Sequence, residues 1–210
     1  MMTHLEQSRV REKVMPFADR TSDVHVYREV GAKLTHKSEV TTKHVTAEWL
    51  QRRGQGEVTW RLRQKRHAFF FFEEGLKSFT GRVESHCGRR SLQDPTRLAF
   101  IAAGTSIDAL VEIPGNCTYT VAFIDADWLS NLDEELAGFG THRSHIGFNN
   151  PVLVVAMAQL RNEVQVNRPM SRLAIESWTM QMWAHLHRSG AAPPSSEGAA
   201  PFSNLCKEGR

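Results

Sequence analysis

Apolar residues along this chain keep two rhythms, and the change falls near residue 125. Before it the period is two. Glu57–Gln64 alternates Val58, Trp60 and Leu62 with Glu57, Thr59, Arg61 and Arg63. Successive strand side chains point to opposite faces, so this predicts a half-buried strand. His67–Glu73 holds four consecutive phenylalanines, Phe69 to Phe72, which predicts a strand covered on both faces and ended by Gly75. Phe79, Gly81 and Val83 predict another strand, while Gly88 and Asp94-Pro95 read as turns. Leu98–Ala102, Ile107–Ile113 and Cys117–Asp125 complete the series, with stops at Gly104 and Pro114-Gly115. Short strands with turn signals spaced about 8 to 12 residues apart predict a sandwich or barrel. Residues 1–50 are weakly patterned, with one early strand expected around Val24, Val26 and Val30 and another over Val40 to Val45.

After residue 125 the period lengthens. Asp125 or Asp127 can cap a helix that runs to Ala137 and stops at Gly138. Residues 139–149 read as a loop. Asn150 can cap a second helix, with Pro151 where its missing N–H does no harm. Its apolar line is Leu153, Met157, Leu160 and Val164. Ser171 can cap a third helix whose line is Ile175, Trp178, Met182 and Leu186, with a stop at Gly190. Two such helices with a short link predict an antiparallel hairpin. Trp183 lies off that line and gives the hairpin a second apolar stripe, fit for a partner subunit. The expected dimerisation residues are Leu153, Met157, Leu160, Trp178, Met182, Trp183 and Leu186. Residues 191–210 are rich in Pro, Gly, Ser and Ala, a composition that predicts a disordered tail.

The chain is 210 residues long, with 40% hydrophobic and 23% charged residues, which suits one soluble domain with appendages. No apolar run approaches the ~18 residues of a membrane span, and no secretory leader is visible, so a cytoplasmic location and no membrane partner are expected. Cys87, Cys117 and Cys206 form no C-x-x-C pair, and reduced thiols are expected. The net charge of +3 is too small to argue for nucleic acid. It is uneven, with 18 Lys/Arg against 11 Asp/Glu in residues 1–90. The basic excess sits in Arg52, Arg53, Arg61, Arg63, Lys65, Arg66, Arg82, Arg89 and Arg90. Arg61, Arg63 and Lys65 alternate with Trp60 and Leu62, which favours a solvated sheet face over a phosphate-binding surface.

Candidate chemistry is thin. His67, Glu73, Glu74 and His86 lack the His-x-His spacing that would bring ligands to one strand face, so no metal site is expected. His185 and His187 are two apart on a helix and diverge by about 200°. His142 and His145 fall in a loop. No phosphate loop, nucleophile elbow or glycine-rich dinucleotide turn is present, so neither a cofactor nor enzyme activity is expected.

Three stretches carry a family likeness. Leu98-Ala-Phe-Ile-Ala-Ala-Gly-Thr resembles a turn of cupin-like sensor barrels. Tyr119-Thr-Val-Ala-Phe-Ile-Asp-Ala-Asp-Trp-Leu looks like a last barrel strand running into a helix start. Leu173-Ala-Ile-Glu-Ser-Trp-Thr-Met-Gln-Met-Trp-Ala-His-Leu-His-Arg is similar to the helix that precedes the DNA-binding module of AraC/XylS-type transcription regulators. In that helix Leu173, Glu176, Ser177, His185, Leu186 and Arg188 fall in register.

The resemblance spans about residues 55–190. It implies an α+β fold: a cupin-like β-barrel or sandwich, a short helix and an antiparallel helical hairpin. The organisation expected is an N-terminal arm over 1–50, a sensor barrel over 51–126, a helical dimerisation region over 127–190 and a tail over 191–210. It also implies a small-molecule effector, and a homodimer or a heterodimer with a related regulator. Effector binding would use an apolar interior of Trp60, Leu62, Phe69, Phe71, Phe100 and Tyr119. The competing reading is that these residues simply fill a core, since small barrels either pack solid or hold one ligand. Two helix-turn-helix units need on the order of 100 residues. Only 22 residues follow Arg188. The expectation is therefore a truncated regulator's sensing half, with no direct DNA binding. A small metal-dependent cupin enzyme is the alternative.

Overall fold

The structure, a computed structural model, describes residues 26–133 and 143–188. Eleven strands are described: β1 (Tyr27–Val30), β2 (Lys33–Thr41), β3 (Val45–Arg53), β4 (Gly56–Arg63), β5 (His67–Glu74), β6 (Ser78–Val83), β7 (His86–Ser91), β8 (Leu98–Ile101), β9 (Ser106–Ile113), β10 (Asn116–Ile124) and β11 (His145–Phe148). Three helices accompany them: α1 (Ala126–Asp133), α2 (Pro151–Val166) and α3 (Ser171–Arg188). The strands form two antiparallel sheets, one ordered β1-β4-β9-β6-β7 and the other β11-β8-β5-β10-β3-β2. The fold is an antiparallel sandwich with helices added.

Side chains divide by parity into two cores. Trp60, Leu62, Phe70, Phe72, Phe79, Ile107, Val111, Tyr119 and Val121 meet between the sheets. Phe69, Phe71, Leu98, Phe100, Ala122 and Ile124 point away from them and pack under the helices, against Leu153, Met157, Leu160, Ile175 and Met182. The six-stranded sheet is thus buried on both faces. That accounts for the run Phe69–Phe72: all four rings are buried, and alternate ones serve different cores.

Two seams close the sandwich. On one side Arg28 of β1 reaches Glu48 of β3 at 2.6 Å, and Arg52 Nη1 donates to the carbonyl of Ala32 at 2.9 Å. On the other, Gly147 of β11 takes φ +70°, and a Cβ there would lie 2.7 Å from the Ser91 carbonyl oxygen. A glycine lets the two backbones approach.

Several expected boundaries change. Residues 27–50 hold β1, β2 and most of β3, which is an inner strand of its sheet, so this half of the expected arm belongs to the sandwich, while residues 1–25 lie outside the described residues. Their polar interior positions hide the pattern: Thr46, Glu48 and Arg52 are buried and paired rather than apolar. Gly88 lies inside β7, and the turn comes earlier, at Glu84–Ser85. The expected loop over 139–149 contains β11, four residues too short to show a period. The expected tail over 191–210 lies outside the described residues, as do the strand position Val24 and the stops at Gly138 and Gly190.

The helix starts have the expected chemistry at two of three places. Asp125 accepts from the backbone N–H groups of Asp127 and Trp128. Asn150 accepts from Val152 and Leu153, with Pro151 first in the helix. Ser171 does not cap α3. It is fully buried in the first turn, accepts from the Arg168 N–H and donates to Glu163 of α2 at 2.6 Å. α2 ends at Asn167, whose left-handed φ of 47° turns the chain toward α3.

Candidate functional site

The inter-sheet core is the first place to look for a ligand, and it is nearly full. Trp60 meets Phe70, Phe72 and Phe79 edge-on, with ring centroids 5.2, 5.6 and 6.2 Å apart. The space left among Trp60, Phe72, Leu76, Cys117, Tyr119 and Arg52 is about 10 Å³. That is about one probe sphere, the least that admits a water. Of the expected effector residues, Trp60, Leu62 and Tyr119 do share this interior, but as packed core. Phe69, Phe71 and Phe100 are a correction: they face the helices. Phe70 and Phe72 take the interior places. An unbroken apolar run carries no parity signal. Only the pairing of Phe72 with Tyr119 on β10 fixes it.

At one end of the interior the polar residues gather. Arg28 and Lys37 both pair with Glu48, at 2.6 and 2.9 Å. Burial pushes the Glu48 carboxyl up, but the charges of Arg28 and Lys37 outweigh it and hold its pKa below the ordinary value. Burial opposes the Arg28 charge, and Tyr119 and Glu48 more than offset it, so its pKa is raised. Arg66 donates to Thr46 Oγ1 at 2.9 Å, and its pKa is lowered by burial, against the opposing pull of Glu48, Asp125 and Glu39. The guanidiniums of Arg28 and Arg66 lie 5.4 and 5.6 Å from the ring centre of Phe123. Burial pushes the Cys117 thiol up to about 11, against the opposing effect of Arg52.

The basic residues singled out from the sequence therefore do not form one surface. Arg52 is buried and donates to the Tyr119 hydroxyl at 2.9 Å. Arg61 is exposed but paired with Asp108 at 3.1 Å and Glu29 at 3.8 Å. That mixed face is a solvated sheet face rather than a single-sign phosphate track.

The metal candidates are dispersed too. His67 Nδ1 accepts from the Ala103 N–H, and its ring stacks on Phe100 with centroids 5.7 Å apart. Glu73 points toward the helices, Glu74 is exposed and His86 is exposed on β7. No cluster of three or more His, Cys, Asp or Glu occurs among the described residues. His145 opens β11, and His142 lies outside the described residues. His187 is buried with its ring edge-on to Trp183, 4.7 Å between centroids.

The expected dimerisation residues are mostly interior. Leu153, Met157, Leu160, Met182, Trp183 and Leu186 are buried in the helix–sheet core, and Trp178 is half-buried against it. This corrects their expected placement on a partner-facing stripe. Trp183 is 5% exposed and packs against both His67 and Phe100, because the outer face of the sheet is apolar and needs covering. The helices expose other apolar residues: Val152, Val155, Val166, Met170, Leu173 and Met180. No periodic reading found them, since the stripe Met170, Leu173, Ser177, Met180 is broken by a serine.

A second concavity lies at the far end of the sandwich. Its floor is Phe72, Leu76, Leu92 and Pro114, its rim is charged, and its volume is about 470 Å³. The β5–β6 turn at Gly75 and the segment joining β7 to β8 build it. Among the described residues no helix is long and apolar enough to cross a membrane.

An antiparallel two-sheet sandwich with a helical layer on one sheet is the class this architecture defines. Structures of that class match: an AraC-like transcriptional activator, CuxR, superposes with a TM-score of 0.51 at 9% identity, over 87% of this chain and 64% of that one. The chain thus spans just under two thirds of that activator's length. Weaker likenesses are a cupin domain from Bordetella pertussis (TM-score 0.36, 12% identity, 46% of this chain and 95% of that one) and a Bacillus subtilis oxalate decarboxylase mutant (0.36, 14%, 54% and 35%). No family model matches the sequence, and no curated protein does.

Proposed function

We propose that this chain is the effector-sensing and dimerising part of an AraC-type transcription regulator, acting by binding rather than by catalysis. One observation carries the reading. The hairpin of α2 and α3 uses one side to cover the sheet and still presents apolar residues on the other. Met170 and Leu173 are 66% and 61% exposed, and Val155 is 57% exposed. Leu173 and Met180 are seven apart, so they share a helix face. An exposed helical apolar surface of this kind is what a second subunit covers. The fold likeness to the AraC-like activator supports the same reading. The nearly filled interior and the open cleft at the end of the sandwich favour the cleft as the effector site in this reading.

Sedimentation of the purified chain tests it. The chain is expected to be a dimer, and Leu173→Glu with Met180→Glu is expected to give a folded monomer. A wild-type monomer at high concentration overturns the reading. Stoichiometric iron, manganese or zinc in the purified protein would favour a metal-dependent cupin enzyme instead.

A further inference from the structure

The cleft over Phe72 and Leu76 has the size of small-molecule sites, which run from about 300 to 1,000 Å³. Phe72 and Leu76 also line the small internal cavity, so the cleft and that cavity share these two side chains. We propose that this cleft binds a small amphipathic organic cation, an amine carrying an apolar body.

Charge sets the class. Around the rim Glu73 pairs with Arg161 at 3.3 Å, Lys77 with Glu112 at 3.6 Å, and Asp94 with Arg97 at 3.0 Å. Glu74 is the exception: it is exposed and makes no ion pair or side-chain hydrogen bond among the described residues. One unmatched carboxylate thus stands beside an apolar floor. An ammonium group matches it, and the floor of Phe72, Leu76, Leu92 and Pro114 takes the apolar body. A carboxylate ligand of the same shape meets repulsion from Glu74 and finds both rim cations already engaged.

The proposal deepens the sensor reading by naming the effector class. The cleft wall includes Glu73, whose carboxylate also holds Arg161 of α2, so a bound molecule lies beside the joint between sheet and helices.

The test uses three probes of one size: benzylamine, benzyl alcohol and benzoate, titrated into the full chain and followed by amide NMR. Benzylamine is expected to shift the amides of Glu74, Leu76, Lys77 and Leu92, and to bind more tightly than benzyl alcohol. Benzoate is expected to leave them unmoved. Glu74→Gln is expected to weaken benzylamine about threefold, the scale of an exposed ion pair. Failure of benzylamine to shift these amides, benzoate binding as tightly, or an unchanged affinity in Glu74→Gln overturns the proposal. Sedimentation separates it from the sensor reading: benzylamine binding to a chain that stays monomeric leaves the cleft assigned and removes the regulator. A dimer that ignores benzylamine does the reverse.

Discussion

Glu73 on β5 and Arg161 on α2 meet at 3.3 Å, and this contact fastens the helical layer to the sheet. The same carboxylate accepts from Thr120 Oγ1 at 2.6 Å and from Trp49 Nε1 at 3.4 Å. Thr120 is fully buried, so its hydroxyl has no water to turn to if Glu73 is removed. Glu73→Ala is expected to lower stability by about 2–3 kcal/mol, the scale for a buried hydrogen-bonded group left without its partner. Arg161 is a third exposed, and Arg161→Ala is expected to cost only about 1 kcal/mol. Urea denaturation of the two single variants and the double variant measures both, and a sum equal to the double would show that the residues act independently.

Trp183 separates folding from assembly. It is buried against His67 and Phe100, so Trp183→Ala is expected to cost about 3–5 kcal/mol through lost burial and a cavity. Leu173→Glu, on the exposed side, is expected to change stability by no more than about 0.5 kcal/mol. Thermal or urea unfolding at low protein concentration makes the comparison. Equal effects from the two substitutions would contradict the division of the helices into a core side and a free side.

Glu48 gives stability a specific acid dependence. Its folded pKa lies below the unfolded value of about 4.5 because Arg28 and Lys37 favour the carboxylate. A depressed folded pKa means the contribution is fully present above the unfolded pKa and is lost as pH falls through the folded one. The wild-type chain is therefore expected to lose stability below about pH 4.5, and Glu48→Gln to show a flatter profile there. At neutral pH the same variant is expected to be less stable by about 3 kcal/mol, because Arg28 stays buried without its anion. Urea midpoints collected from pH 7 to pH 3 for both proteins are the measurement. Parallel profiles would show that another group governs the acid limb.

Much of the secondary structure was legible from local pattern. The strand β4 announces itself by strict alternation at Val58, Trp60 and Leu62, and α2 by Asn150, Pro151 and the line Leu153, Met157, Leu160, Val164. These signals work because one face of each element is buried and the other is wet. The cue fails where both faces are covered. In β5 every Phe is buried, so periodicity is silent about which ring faces which core. In β3 the interior residues Thr46, Glu48 and Arg52 are polar and paired with partners 20 to 67 residues distant in sequence.

Local pattern was enough for the strands β4, β5, β6, β8, β9 and β10, for the change from strands to helices near residue 125 and for the caps at Asp125 and Asn150, because these depend on neighbours a few positions away. Tertiary structure decided that Phe70 and Phe72 face Trp60 while Phe69 and Phe71 lie under α2 and α3, that Trp183 closes the helix–sheet core, and that Glu74 has no ion-pair partner among the described residues. Those outcomes depend on strand register and on which sheet edge meets which. A one-residue slip in register reverses every side chain of a strand, and nothing local in a run of four identical aromatic residues opposes such a slip.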